Sequence, residues 1–109
     1  MDFQTLVRRA MEIRQQYAAL EEATHGRAWS REDVAMGFVG DVGDLVKLVM
    51  AHSGVRRIAD ADQKLAHELA DCLWSILVLS ALYGIDLEHA FLQTMDDLEQ
   101  QIAAQHPTR

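Results

Sequence analysis

The stretch ELADCLWSILVLSALYGIDL, Glu68 to Leu87, decides the fold. From Cys72 to Tyr83 it runs for 12 residues, interrupted in polarity only by Ser75 and Ser80. A helix that is apolar on every side must be covered by other elements, so this one is expected to lie at the centre. Gly84 follows as a C-terminal stop, and Asp86 then offers an N-cap to a new helix. The apolar run is well short of the ~20 residues needed to cross a bilayer, so no membrane partner is expected.

Working outward, Asp60 is placed to cap the start of this helix, which is expected over 61–83. Phe3, Leu6, Ala10, Ile13, Tyr17 and Leu20 recur by three and four and define a helix over 3–24, with Gly26 as its stop. Ser30 followed by Asp33 reads as a capping box that opens a helix over 30–52. After Asp86, the residues Leu87, Phe91, Met95, Leu98 and Ile102 mark the inward face of a helix over 86–104, and QHPTR is read as a frayed tail. No segment alternates like a strand. The expectation is a single all-α domain over 1–109, a four-helix bundle with short connections. A chain of 109 residues buries a modest share of its surface, so a homo-oligomer is expected as well.

Composition narrows the function. Half of the residues are hydrophobic and a quarter are charged, which suits a packed core. The formal net charge of −7 disfavours DNA or RNA as a partner. It leaves room for a nucleotide whose phosphates are screened by a cation. The one cysteine, Cys72, excludes a disulfide within the chain and a cysteine-rich zinc site. MDFQTLVRRA lacks an apolar signal core, so a cytoplasmic location is expected.

The chemistry is carried by four carboxylates. In the second helix Val34, Phe38, Val42, Leu45, Leu48 and Val49 share one arc, and Asp41 falls inside it. Asp44 lies about 60° away at the edge of that arc. In the third helix Glu68 and Asp71 repeat the spacing, with Glu68 between Ser75 and Leu79. Alone, an Asp-x-x-Asp reads as surface decoration. Two pairs on apolar-flanked positions point toward one interior, where bare carboxylates must take up protons, pair with cations or bind a metal. An oxygen-only donor set suits Mg²⁺, or Mn²⁺, rather than zinc.

DVGD (Asp41–Asp44), a gap of 23 residues and ELAD (Glu68–Asp71) together resemble the MazG-like all-α nucleoside triphosphate pyrophosphatase superfamily. Its signature is Glu-x-x-Glu followed by Glu-x-x-Asp. FVGDVGDL looks like the family's VGEVGEL with aspartates in place of both glutamates. ELADCLWSILVLSALYGIDL looks like the family's helix that carries Glu-x-x-Asp. The resemblance covers about residues 30 to 98. It implies a helical bundle assembled as a homodimer or homotetramer. It also implies an enzyme that converts (d)NTP to (d)NMP and pyrophosphate, a house-cleaning role in the nucleotide pool. Asp41, Asp44, Glu68 and Asp71 would then be the catalytic residues and the Mg²⁺ ligands. Thr94 and Leu98 stand where related enzymes often carry Lys and Asn.

Further residues complete the candidate site. Lys47 lies one turn after Asp44 and Lys64 one turn before Glu68, both within reach of phosphates; Arg56 and Arg57 lie in the connecting loop. Tyr17 and Trp29 are candidates to stack on a base, and packing is the plainer role for each. Trp74 is expected in the core or at a subunit interface. His25, His52, His67 and His89 show no paired ligand spacing. The alternative function is a catalytically weak or inactive helical oligomer that binds nucleotide or a protein partner. A related enzymatic option is hydrolysis of a phosphoribosyl nucleotide in histidine biosynthesis.

Overall fold

A computed structural model describes residues 2–54 and 57–105. Arg56 and the tail from His106 onward lie outside the described residues. The chain forms four helices, α1 (Phe3–His25), α2 (Arg31–His52), α3 (Ala61–Leu82) and α4 (Leu87–Gln105), with no strand among the described residues.

Local chemistry sets most boundaries. Asp2 caps α1 by accepting the Thr5 N–H at 2.9 Å. Gly26 closes α1 in the left-handed region, φ +81°, with its N–H donating to the Glu22 carbonyl. The expected capping box opens α2. Asp33 N–H donates to Ser30 Oγ at 3.1 Å, and Ser30 N–H donates to Asp33 Oδ2 at 2.9 Å. Arg27 reinforces it by donating to Asp33 Oδ2 at 2.8 Å, and that hydrogen bond is the largest cause holding the Asp33 carboxyl below its usual range. At the end of α3, Gly84 N–H donates to the Ala81 carbonyl and Ile85 N–H to the Ser80 carbonyl, at 3.1 and 2.8 Å. This Schellman closure uses the positive φ of Gly84. Asp86 then accepts the His89 N–H at 3.1 Å, as its spacing predicts. Asp60 departs from expectation. It holds the N-cap position of α3 in a left-handed conformation, φ +55°, with no side-chain hydrogen bond to the helix. N-cap side chains bond the first turn from an extended backbone, which Asp60 does not adopt.

The core is built on α3, which packs most extensively on α2 and less so on α1. Ala10, Val34, Leu77 and Val78 form the buried cluster, with Phe3, Val7, Met11, Trp74, Leu79, Leu82 and Leu87 against it. By length and composition α3 passes as a membrane span. In this fold its apolar second half is instead the surface on which the other helices pack. The stripe expected on α1 is shifted: Val7 and Met11 face the core, whereas Leu6 and Leu20 are exposed. Spacing alone could not choose between neighbouring faces that differ by one residue.

α4 is present, but it touches the other helices only weakly and contains no buried residue. Leu87 meets the core, while Phe91, Met95, Leu98 and Ile102, expected to face inward, are exposed. The chain is correspondingly long, 64 × 40 × 27 Å.

Candidate active site

The two carboxylate pairs meet across the α2–α3 interface. Asp41, Asp44 and Glu68 each offer an oxygen within 4.8 Å of the others. Asp41 and Glu68 are half-buried and Asp44 is exposed. Glu68 Oε1 is buried and lacks a hydrogen-bond partner, a costly state for a carboxylate oxygen. The Glu68 carboxyl is pushed above its usual range. Burial is the largest cause, followed by the neighbouring Asp41 carboxyl and the negative charges of Asp71 and Asp44. The same surroundings, burial first, raise the Cys72 thiol, so Cys72 is an inert core residue.

Asp71 is not one of the three clustered carboxylates. His67, one turn earlier on α3, contacts it through Nε2 at 3.1 Å from Asp71 Oδ2. In sequence His67 shows no paired ligand spacing. A His four residues before an Asp on one helix was the available signal.

Two cavities flank the cluster. The first, about 370 Å³, is lined by Asp44, Lys47, Leu48, Ile58, Gln63, Lys64, His67 and Glu68. Both candidate lysines are here, and Lys47 Nζ lies 3.8 Å from Asp44 Oδ1. The second, about 670 Å³, has Asp41 and Asp71 in its wall together with Tyr17, Trp29 and Trp74. The candidate stacking residues are therefore gathered on one side of the carboxylates and the candidate phosphate residues on the other. Trp74 is not simply core: it lines the second cavity, donates its indole N–H to the Ala10 carbonyl at 3.2 Å, and meets Tyr17 edge-to-face at 5.9 Å.

Trp29 is held from three directions. Its N–H donates to Glu21 Oε1 at 2.7 Å, and its carbonyl accepts from Arg14. Its ring rests on the bare backbone of Gly37, where a Cβ would come within 2.9 Å of Cζ3. Arg14 and Glu21 were not singled out in the sequence. They lie two turns apart on one face of α1, and their common target appears only when the α1–α2 connection folds back.

The chemistry of the donor set fits a hard divalent cation: three carboxylates, oxygen only, close together, with one buried oxygen unpartnered. The family model of the MazG nucleotide pyrophosphohydrolase domain matches residues 30–103. The chain belongs to this family. No curated protein and no solved structure matches the chain significantly. The MazG match spans α2, α3 and nearly all of α4, and so contains both carboxylate pairs and both lysines. It leaves out α1, so Arg14, Tyr17, Glu21 and also Trp29 line the second cavity from outside the matched region.

Proposed function

We propose that this MazG-family protein is a Mg²⁺-dependent nucleoside triphosphate pyrophosphohydrolase, releasing a nucleoside monophosphate and pyrophosphate, with Mn²⁺ as a substitute metal. The observation that carries this reading is the position of the Asp41–Asp44–Glu68 cluster between an aromatic cavity and a lysine-bearing one. A nucleoside triphosphate has this polarity: a flat base at one end, a polyanion at the other and the scissile bond between them.

Asp41, Asp44 and Glu68 would hold the cation. When bound, it would neutralise phosphate charge and activate the attacking water. Tyr17 and Trp29 would receive the base, and Lys47 and Lys64 would neutralise the outer phosphates as they depart. Asp71 would serve as general base: it stands apart from the cluster, and the His67 contact holds its carboxylate in place. The two aspartates have shorter arms than the glutamates of the family signature, yet their oxygens already lie within a ligand-sized spacing of Glu68. Such chemistry would clear unwanted nucleotides from the pool, a role that suits a cytoplasmic homo-oligomer.

The test is incubation with a panel of NTPs and dNTPs plus Mg²⁺ or Mn²⁺, followed by detection of pyrophosphate. Asp71→Asn should lower kcat by about 100-fold or more, the usual scale for a lost general base. Absence of turnover with every nucleotide would overturn the reading.

A further inference from the structure

We propose that Arg14 and Glu21 form a specificity pair that reads the hydrogen-bonding edge of the base, favouring nucleotides whose base carries an exocyclic amino group over uracil and thymine. This rests on the reading that the aromatic cavity receives the nucleoside end.

Both residues line that cavity with Tyr17, Trp29 and Trp74. Their side chains are only 12% and 15% exposed, with Arg14 Nη1 3.6 Å from Glu21 Oε1. An ion pair so far withdrawn from water is costly unless its remaining donors and acceptors are used. Some are used locally, because Glu21 Oε1 accepts the Trp29 N–H and Arg14 Nη2 donates to the Trp29 carbonyl. A guanidinium has five N–H donors and a carboxylate two acceptor oxygens, so this leaves capacity on both. Among the described residues the second Glu21 oxygen accepts no hydrogen bond.

A free carboxylate oxygen beside free guanidinium N–H groups matches an edge with a donor next to an acceptor. Cytosine and adenine present an amino group beside a ring nitrogen. Guanine presents two N–H donors beside a carbonyl. Uracil and thymine present one N–H between two carbonyl oxygens. They too offer a donor beside an acceptor, the N–H to Glu21 and one carbonyl to Arg14, but the second carbonyl flanking that N–H is then left against the Glu21 carboxylate with no donor. A buried polar group left unpaired or opposed is what gives such sites their discrimination. The pair also fixes Trp29, so recognition of the edge and placement of the stacking ring depend on the same two side chains.

The experiment is calorimetric binding, with Mg²⁺, of methylene-bridged, non-hydrolysable analogues of dCTP, dATP, dGTP and dUTP. It is run beside steady-state hydrolysis of the four parent nucleotides. The wild-type protein should bind at least one amino-bearing analogue about tenfold or more tighter than the dUTP analogue. Glu21→Gln retains an oxygen to accept the Trp29 N–H, so the connection stays anchored. It should bring the ratio to within about threefold, and Arg14→Gln should do the same. A wild-type protein without that preference, or variants that weaken all four analogues equally, would overturn the proposal and leave the pair as a purely structural staple. Binding preference without turnover would refute the hydrolase reading alone. Turnover without preference would refute the specificity pair alone, and no binding of any analogue would refute both.

Discussion

The three glycines of α2 recur every third residue, yet the fold gives them different surroundings, and replacing each by alanine should separate them. All three sit inside α2 and none has positive φ, so alanine fits their backbone. At Gly40 and Gly43 an added Cβ meets nothing within 4 Å. Gly40→Ala and Gly43→Ala should therefore realise the full propensity gain of about 1 kcal/mol each. For a domain of this size that raises Tm by roughly 4–8 °C. At Gly37 the new methyl would lie 2.9 Å from Trp29 Cζ3 and 3.3 Å from Cη2. Carbon atoms pack at about 3.5–4 Å, so the indole must retreat by roughly half an ångström or more. The Trp29 main chain is tied at both N–H and carbonyl, which leaves the ring to tilt. Overpacking of this kind costs about 1–3 kcal/mol and offsets the propensity gain, so Gly37→Ala should leave Tm unchanged or lower it. Its main effect should fall on nucleotide binding. Base stacking is worth about 1–3 kcal/mol, so loss of the Trp29 platform should raise Kd by roughly 5- to 140-fold. Thermal melts of the three variants and calorimetric titration with a nucleotide analogue measure both effects. If Gly40→Ala or Gly43→Ala lowers Tm, that face of α2 is covered in solution. If Gly37→Ala binds nucleotide like the wild type, Trp29 is not part of the site.

Further outcomes follow from burial and charge. The raised Glu68 pKa means the native state holds a proton that the unfolded chain, near 4.5, has released. Metal-free stability should thus fall as pH rises from 4.5 through the native-state value, and Glu68→Gln should flatten this slope in urea titrations. Asp2 and Asp33 are shifted the other way, so their contributions are present above about 3.8 and are lost only below it, in a separate window. Mg²⁺ binds the deprotonated cluster and should stabilise the wild type at neutral pH by about 2.7 kcal/mol at 100 times Kd; an unchanged Mg²⁺ response in Glu68→Gln would refute its role as a ligand. Val78, with no exposed surface, lies between helices at the centre of the core. Val78→Ala should cost about 2–3 kcal/mol by urea denaturation, and a cost below 1 would mean that α3 is not the central helix.

Much of the fold was legible in sequence because its causes are local. Ser30, Gly84 and Asp86 act through hydrogen bonds to residues at most five positions away, and the apolar run from Cys72 marks the central helix without reference to any partner. The carboxylate pairs were legible for the same reason: a spacing of three places two side chains on neighbouring parts of one helical face. Tertiary structure decided what those faces meet. It put Asp41, Asp44 and Glu68 together but gave Asp71 to His67. It turned the apolar stripe of α4 outward, and it pressed Trp29 against Gly37 while leaving Gly40 and Gly43 open. It also joined Arg14, Glu21 and Trp29, residues up to 15 positions apart, into one cavity wall. Periodicity fixes the direction of a side chain relative to its own helix axis. The partner it finds depends on how the helices pack and how the connections return, and those are set by contacts distant in sequence.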